Sequence, residues 1–92
     1  MNAQSSSWVK SMPRTLITGI TGQDGSFLAR SLLEKGHEVY GTARLGRSAN
    51  AGRLREIGIA DKIQFRQMEI TEFANVQSVL SEIRPDYIYN LA

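Results

Sequence analysis

The 92-residue chain contains no cysteine and a single histidine. These absences exclude disulfides, thiolate metal ligands, a thiol nucleophile and a multi-histidine metal site. The sequence also lacks a run of about 18 apolar residues, so no transmembrane helix is predicted. A signal peptide needs an apolar core of about 7–15 residues, and the N-terminal residues contain none. We therefore expect a cytoplasmic protein with no metal and no membrane partner.

The charge balance gives little reason to expect a nucleic-acid partner. Eleven basic and nine acidic residues leave a net charge of +2, although arginines cluster within residues 44–55. Nucleic-acid-binding surfaces commonly have aromatic residues interleaved with the basic ones, and this cluster contains none. The hydrophobic fraction of 41% and charged fraction of 22% are those of an average globular chain. We expect a folded domain that binds no nucleic acid.

The chain divides into two parts of different character. Residues 1–13 contain three consecutive serines, an isolated Trp8 and no hydrophobic periodicity, so a disordered N-terminal extension is predicted there. Residues 14–92 form one regular pattern and, at this length, one domain at most. Because the pattern matches only half of a larger fold, residues 14–92 are expected to be the N-terminal part of a truncated domain.

Short apolar runs alternate with helical periodicity from Arg14 onward. Strands are predicted over residues 15–18, 37–43, 62–68 and 86–92, and helices over residues 26–35, 51–57 and 73–83. This βαβαβαβ order predicts an α/β fold with a doubly wound parallel sheet of the Rossmann type. Central strands of such sheets are buried on both faces, so Tyr87 and Tyr89 are predicted to be core residues rather than catalytic phenols.

The turn after the first predicted strand has the spacing G-x-x-G-x-x-G. Glycines there permit a tight turn, close approach of a pyrophosphate and close packing of the next helix on the sheet. The helix N-terminus would offer unpaired N–H groups and a partial positive charge to the phosphates. The alternative is an ordinary structural turn, but the strand–turn–helix context favours binding. The predicted cofactor-binding residues of the turn are Gly19, Ile20, Thr21, Gly22, Gln23, Asp24 and Gly25.

Arginines follow the second predicted strand, where NAD-binding proteins usually place a carboxylate for the ribose 2′-hydroxyl. Arg44 lies nineteen positions after Gly25, and Arg47 follows it. Guanidinium groups form charge-assisted hydrogen bonds with a 2′-phosphate, which a carboxylate would repel. The sequence thus favours NADP over NAD as the cofactor. The alternative is that both arginines belong to a solvated loop.

Two further pairs follow predicted strands on the side where the cofactor would lie. Glu69 and Ile70 come after the third strand and are placed to approach the adenine, and Leu91 and Ala92 end the fourth strand beside the dinucleotide. Each pair is equally well explained as an ordinary strand terminus, because the ends of central strands are apolar in any case.

The turn Gly-Ile-Thr-Gly-Gln-Asp-Gly at 19–25 and the run Leu-Leu-Glu-Lys-Gly at 32–36 resemble the opening of GDP-mannose 4,6-dehydratases. Residues 53–59, 85–86 and 89–92 resemble that family in order and spacing, so the similarity spans residues 14–92. Two positions depart from it. The family's double arginine is Arg44-Leu45-Gly46-Arg47 here, and its Gly-Asp after the third strand is Met68-Glu69.

The resemblance implies an extended short-chain dehydrogenase/reductase that acts as a lyase in nucleotide-sugar metabolism, with NADP as cofactor and GDP-mannose as substrate. The product in that family is GDP-4-keto-6-deoxymannose. The family's catalytic Ser or Thr, Tyr-x-x-x-Lys pair and Glu follow the fourth strand, so no catalytic residue is expected within these 92 residues. The full-length protein would bind its sugar nucleotide through the missing C-terminal part and form a homo-oligomer. Two alternatives stay open: another NADP-dependent nucleotide-sugar reductase or epimerase, and a non-catalytic nucleotide-sensing Rossmann module.

Overall fold

The structure, a computed structural model, describes residues 12–43 and 52–91. Its strands are β1 (Arg14–Thr18), β2 (Glu38–Ala43), β3 (Gln64–Gln67) and β4 (Tyr87–Asn90). Its helices are α1 (Gln23–Glu34), α2 (Gly52–Glu56) and α3 (Phe73–Ile83), and a 3-10 turn at Ala60–Lys62 precedes β3. The predicted order of strands and helices is confirmed, whereas the 3-10 turn was not predicted. Most of the predicted N-terminal extension lies outside the described residues.

The four strands form one parallel sheet in the order β3-β2-β1-β4. The chain builds the sheet outward from β1 through β2 to β3 and then returns to add β4 on the other side of β1. In open α/β sheets, such a reversal of strand order opens a crevice at the carboxyl ends of the strands. The doubly wound Rossmann-type class is therefore confirmed, and the sheet topology itself indicates where a ligand would bind.

Alternating side chains of β1 serve the two faces of the sheet. Ile17 belongs to a buried cluster with Ala29 and Leu32 of α1 and Leu54 of α2, whereas Leu16 packs on the opposite face with Val79 and Ile83 of α3. The helix predicted over residues 73–83 thus packs the apolar side chains of its C-terminal part on the sheet. At its first residue, Phe73 is 78% exposed. Within the described residues, no helix is long and apolar enough to cross a bilayer.

A glycine in a left-handed conformation ends α1. Gly36 has φ 87°, its N–H donates to the carbonyl of Leu33, and the N–H of His37 donates to the carbonyl of Leu32, both at 3.0 Å. This pair of bonds is the Schellman motif, which satisfies carbonyls that the last helical turn leaves unpaired. Gly36 therefore ends the helix, and the motif is followed directly by β2.

The fourth strand corrects one prediction. Tyr87 and Tyr89 were expected in the core, but they are 53% and 38% exposed, and Ile88 is 53% exposed. The reason is topological: β4 is the edge strand of the described sheet, and its strand neighbour is β1 alone. A buried-strand pattern records which side chains can be covered, but it does not encode which neighbours are present to cover them.

Candidate functional site

The turn between β1 and α1 needs glycine at two of its three glycine positions for reasons internal to the chain. Gly19 has φ 72°, a left-handed conformation in which a side chain is strained. A Cβ on Gly25 would lie 2.7 Å from Cα of Ile20 and 2.8 Å from the carbonyl oxygen of Gly19. Because both neighbours are backbone atoms, they could not yield without moving the turn. These two glycines fix the path from the strand into the helix.

Gly22 differs from the other two glycines of the turn. Its φ of −77° and ψ of 172° are available to any residue, and an added Cβ would meet only the carbonyl oxygen of Gly19, at an ordinary 3.6 Å. Gly22 is also exposed to solvent. Nothing in the described part of the chain therefore requires glycine at this position. Close approach of a group to the backbone from outside is one physical reason for glycine here, beside the moderate preference of helix N-caps for glycine.

Gly22 is also the N-cap of α1, and no side-chain oxygen of the described residues caps the helix. The carbonyl of Gly22 accepts the first helical hydrogen bond, from the N–H of Ser26 at 3.0 Å. The N–H groups before it, on Gln23, Asp24 and Gly25, are the unpaired donors that every helix start presents, together with about half a positive charge. This arrangement can bind an anion, and the Asp24 carboxylate in the same turn offsets part of the charge.

A groove of about 570 Å³ lies at the carboxyl edge of the sheet beside this turn. Its walls come from the β1–α1 turn, from the end of β2 and from the segment after β3. The lining residues are Thr18, Gly19, Thr21, Gly22, Thr42, Ala43, Met68, Glu69, Ile70 and Thr71. Glu69 is the one charged residue among the described residues that line the groove, and four of the lining residues are threonines. The lining is therefore mostly uncharged and contains a single carboxylate.

The structure brings some of the sequence-predicted residues together and places others elsewhere. Five of them line the groove: Gly19, Thr21, Gly22, Glu69 and Ile70. Gln23 and Asp24 are exposed in the first turn of α1, Gly25 is buried beneath the turn, and Leu91 is exposed after β4. Arg44, Arg47 and Ala92 lie outside the described residues, so the predicted 2′-phosphate contacts stay a prediction.

Ile20 lies between two turn residues that line the groove, Gly19 and Thr21, but its own side chain belongs to the core. The side chain is fully buried and packs over Gly41 of β2, where an added Cβ would lie 2.6 Å from both Cδ1 and Cγ2 of Ile20. The buried isoleucine therefore holds the turn against the sheet. Sequence spacing gave no sign of this contact, because the two residues are twenty-one positions apart.

Sequence reasoning also missed the polar contacts that join β1 to the end of β4. The Thr18 hydroxyl donates to Oδ1 of Asn90 at 2.6 Å and accepts from the N–H of Leu91 at 3.2 Å. These bonds hold Asn90 and Leu91 beside Thr18, which lines the groove. A polar residue at the carboxyl end of an otherwise apolar strand was the available sign, and both Thr18 and Asn90 carry it.

The amino edge of the sheet carries different chemistry. The Tyr40 hydroxyl donates to the Glu38 carboxylate at 2.7 Å, which raises the pKa of Tyr40 above its ordinary value. Arg14 pairs with the same carboxylate at 3.4 Å. A second cavity, of about 590 Å³, lies at this edge and includes His37 and Lys62 in its wall. It contains none of the predicted residues, and parallel α/β sheets bind ligands at the opposite edge.

Among the described residues, no group of three or more His, Asp or Glu side chains could hold a metal ion.

The strand order, the glycine turn and the groove define the class of protein first: a Rossmann-type α/β unit of the kind found in dehydrogenases, reductases and epimerases. Comparison with known sequences then gives the family. Residues 16–92 match the sequence model described as GDP-mannose 4,6 dehydratase, and the chain belongs to this family.

One curated relative has the family's name, and two solved structures of other enzymes have a similar fold. The chain is 41% identical over 90 residues to a GDP-mannose 4,6 dehydratase of Cricetulus griseus, covering 89% of this chain and 24% of that protein. A crystal structure of the Bordetella bronchiseptica enzyme WbmH in complex with NAD+ superposes with a TM-score of 0.67 at 31% identity, over 88% of this chain and 26% of that one. Actinorhodin polyketide ketoreductase with NADPH gives a TM-score of 0.63 at 28% identity, over 88% and 33%. The chain spans about a quarter of the length of the curated relative.

Proposed function

We propose that residues 14–92 are the dinucleotide-binding part of a GDP-mannose 4,6-dehydratase-like enzyme that uses NADP. The single observation that carries this proposal is Gly22. It is the one glycine of the turn whose conformation and surroundings would admit a side chain, and it lines the groove at the start of α1, which has no side-chain cap. A pyrophosphate resting against its backbone accounts for the missing side chain.

In this proposal, an extended dinucleotide lies along the groove. Its pyrophosphate would rest on Gly19, Thr21 and Gly22, with the N–H groups of the first turn of α1 as donors. Its adenine would lie toward Glu69 and Ile70, on the wall supplied by the segment after β3. Leu91 and Ala92 would flank the dinucleotide at the end of β4. When bound, NADP would supply a hydride acceptor and donor, and these residues would orient it and hold it.

The preference for NADP rests on Arg44 and Arg47, and the described residues support it indirectly. The acid of β2 is Glu38, which lies at the opposite end of the strand from the groove and is occupied by Tyr40 and Arg14. At the groove end, β2 supplies Thr42 and Ala43, so it offers no carboxylate to a ribose 2′-hydroxyl. The structural relatives include complexes with NAD+ and with NADPH, which leaves the discrimination to residues such as these arginines.

The proposed activity belongs to a complete protein of the relatives' length. There the enzyme would be a lyase that converts GDP-mannose to GDP-4-keto-6-deoxymannose and water, in the cytoplasm and as a homo-oligomer. Residues 14–92 would contribute cofactor binding, and the catalytic and sugar-binding groups would come from chain beyond them. The names of the relatives and the family match support this over a different nucleotide-sugar reductase or a nucleotide sensor.

Two substitutions of Gly22 test the proposal. Asp and Asn are both good N-cap residues, so Gly22→Asp and Gly22→Asn should leave the stability of the chain unchanged or slightly raised. Both add a side chain where a pyrophosphate would approach, and Asp also adds a negative charge. We expect NADPH affinity, measured by calorimetric titration, to fall in the order wild type, Asn, Asp. Unchanged affinity of Gly22→Asp in a chain with a wild-type circular dichroism spectrum would overturn the proposed site.

A further inference from the structure

We propose that Asn75 is a positioning residue of this site. It holds the segment after β3 in the shape that forms one wall of the groove, the wall toward which the adenine would lie. The proposal rests on the proposed function, because it concerns how one wall of the dinucleotide site is built. Asn75 lies in the first turn of α3 and does not line the groove itself. Its Oδ1 accepts the backbone N–H of Glu69 at 2.6 Å.

Both backbone polar groups of Glu69 are fixed. Its N–H donates to Asn75, and its carbonyl accepts the N–H of Glu72 at 3.0 Å. One residue earlier, Met68 is buried and its N–H donates to the carbonyl of Ala43 at 3.0 Å. The segment that lines the groove is thus attached to β2 at Met68 and to α3 at Glu69. Between Glu69 and Glu72, Ile70 and Thr71 are held out into solvent.

The Asn75 side chain serves this segment rather than its own helix. The N-cap of α3 is Glu72, and no side-chain oxygen of the described residues caps that helix. In a capping box, the side chain at the third helical position returns to the N–H of the N-cap residue. Asn75 occupies the third position, but the Glu72 N–H is already bound by Glu69, and the Asn75 side chain reaches three residues further back. This geometry stiffens the groove wall and does not complete the helix start.

A stiff segment matters for binding because Ile70 is 51% exposed at the groove. An exposed apolar side chain next to a groove gains most when a flat apolar surface covers it, and a purine ring is such a surface. If the segment were free to relax, Ile70 could turn toward other apolar groups, and the wall would have to be rebuilt on binding. Preorganisation of this kind raises affinity by reducing the ordering cost.

The test uses variants of the full chain and two probes, NADPH and adenosine 2′,5′-bisphosphate, in calorimetric titrations. Asn75→Leu keeps the side-chain size and removes the acceptor, whereas Asn75→Asp keeps the acceptor and suits a helix N-terminus. We expect Asn75→Leu to weaken both probes by about threefold to tenfold, the loss of one hydrogen bond. Asn75→Asp should stay within about twofold of wild type. Gln77→Leu, at an exposed position of α3, is the matched control and should change neither affinity.

Asn75→Ser is a second variant, because its short hydroxyl cannot reach Glu69 and it suits a helix start. It should match Asn75→Leu in affinity, which keeps the proposal testable if the leucine variant fails to fold. Wild-type affinity for both probes in a folded Asn75→Leu or Asn75→Ser chain would overturn the role of Asn75 while leaving the proposed function intact. Binding of the two probes by Asn75→Asp as weak as that by Asn75→Leu would also overturn it. Failure of the folded wild-type chain to bind either probe would instead overturn the proposed function.

Discussion

The contact between Ile20 and Gly41 gives a quantitative prediction, because the two residues fill one space. A Cβ on Gly41 would lie 2.6 Å from Cδ1 and Cγ2 of Ile20, and 3.1 Å from its Cβ. Carbon atoms prefer separations of about 3.5–4.0 Å, so Gly41→Ala requires a displacement of roughly 1 Å. Ile20 is fully buried in the cluster that joins α1 to the sheet, so it has no free space to enter.

Two opposing effects decide whether Gly41→Ala stabilises or destabilises the chain. Alanine in a strand is favoured over glycine by about 0.5–1 kcal/mol, because glycine loses more conformational freedom on folding. Overpacking a filled core costs about 1–3 kcal/mol. The overpacking cost exceeds the gain in conformational freedom, so Gly41→Ala should destabilise the chain by roughly 1–2 kcal/mol. In an Ile20→Ala background the space is empty, and the same substitution should be neutral or stabilise by about 0.5 kcal/mol.

A double-mutant cycle measures this coupling by urea unfolding followed by circular dichroism. The four chains are wild type, Gly41→Ala, Ile20→Ala and the double variant, and the predicted interaction energy is about 2 kcal/mol in favour of the double variant. Ile20→Val removes Cδ1 and keeps Cγ2, so it should relieve only part of the clash. Additive effects in the cycle would show that Ile20 does not occupy the space above Gly41, and the account of how the turn is anchored would be wrong.

Two further predictions concern charge. The complete protein should bind NADPH about tenfold to a hundredfold more tightly than NADH, because a charge-assisted contact contributes about 1.5–3 kcal/mol. Arg44→Ala and Arg47→Ala, tested separately, should show which arginine makes this contact. Equal or tighter binding of NADH would refute the preference. The raised pKa of Tyr40 predicts that its bond to Glu38 stabilises the chain at neutral pH and is lost as the pH rises above 10. Tyr40→Phe should therefore be less stable than wild type at pH 8, with the difference shrinking at alkaline pH, whereas a pH-independent difference would contradict the assignment; Tyr89→Phe is the control.

Local patterns predicted the elements of this fold because each pattern has a local cause. The spacing that ends in Val79 and Ile83 follows the helix period, and Gly36 ends α1 because the αL conformation favours glycine. The strand–turn–helix context likewise predicted the position of the groove, since parallel strands of this connectivity leave their carboxyl ends at one edge.

Features that depend on distant residues could not be predicted in the same way. The burial of Ile20 depends on the missing side chain of Gly41, and the shape of the wall at Glu69 depends on Asn75, which appears in the sequence as an ordinary helix residue. Tyr87 and Tyr89 have the alternation of a buried strand, yet their exposure depends on how many strands and helices surround β4. Composition and periodicity describe a residue's own preference and carry little information about its partners.

The central claim is that a dinucleotide binds at the carboxyl edge of the sheet, against the turn that contains Gly22. An NMR titration of the ¹⁵N-labelled chain with NADPH tests it directly, because each backbone amide reports its own surroundings. The account predicts that the largest shifts fall on the amides of Gly22, Gln23 and Asp24, with a second group at Glu69, Ile70 and Thr71. Shifts concentrated instead at His37, Gly58 and Lys62, around the cavity at the amino edge, would contradict the account.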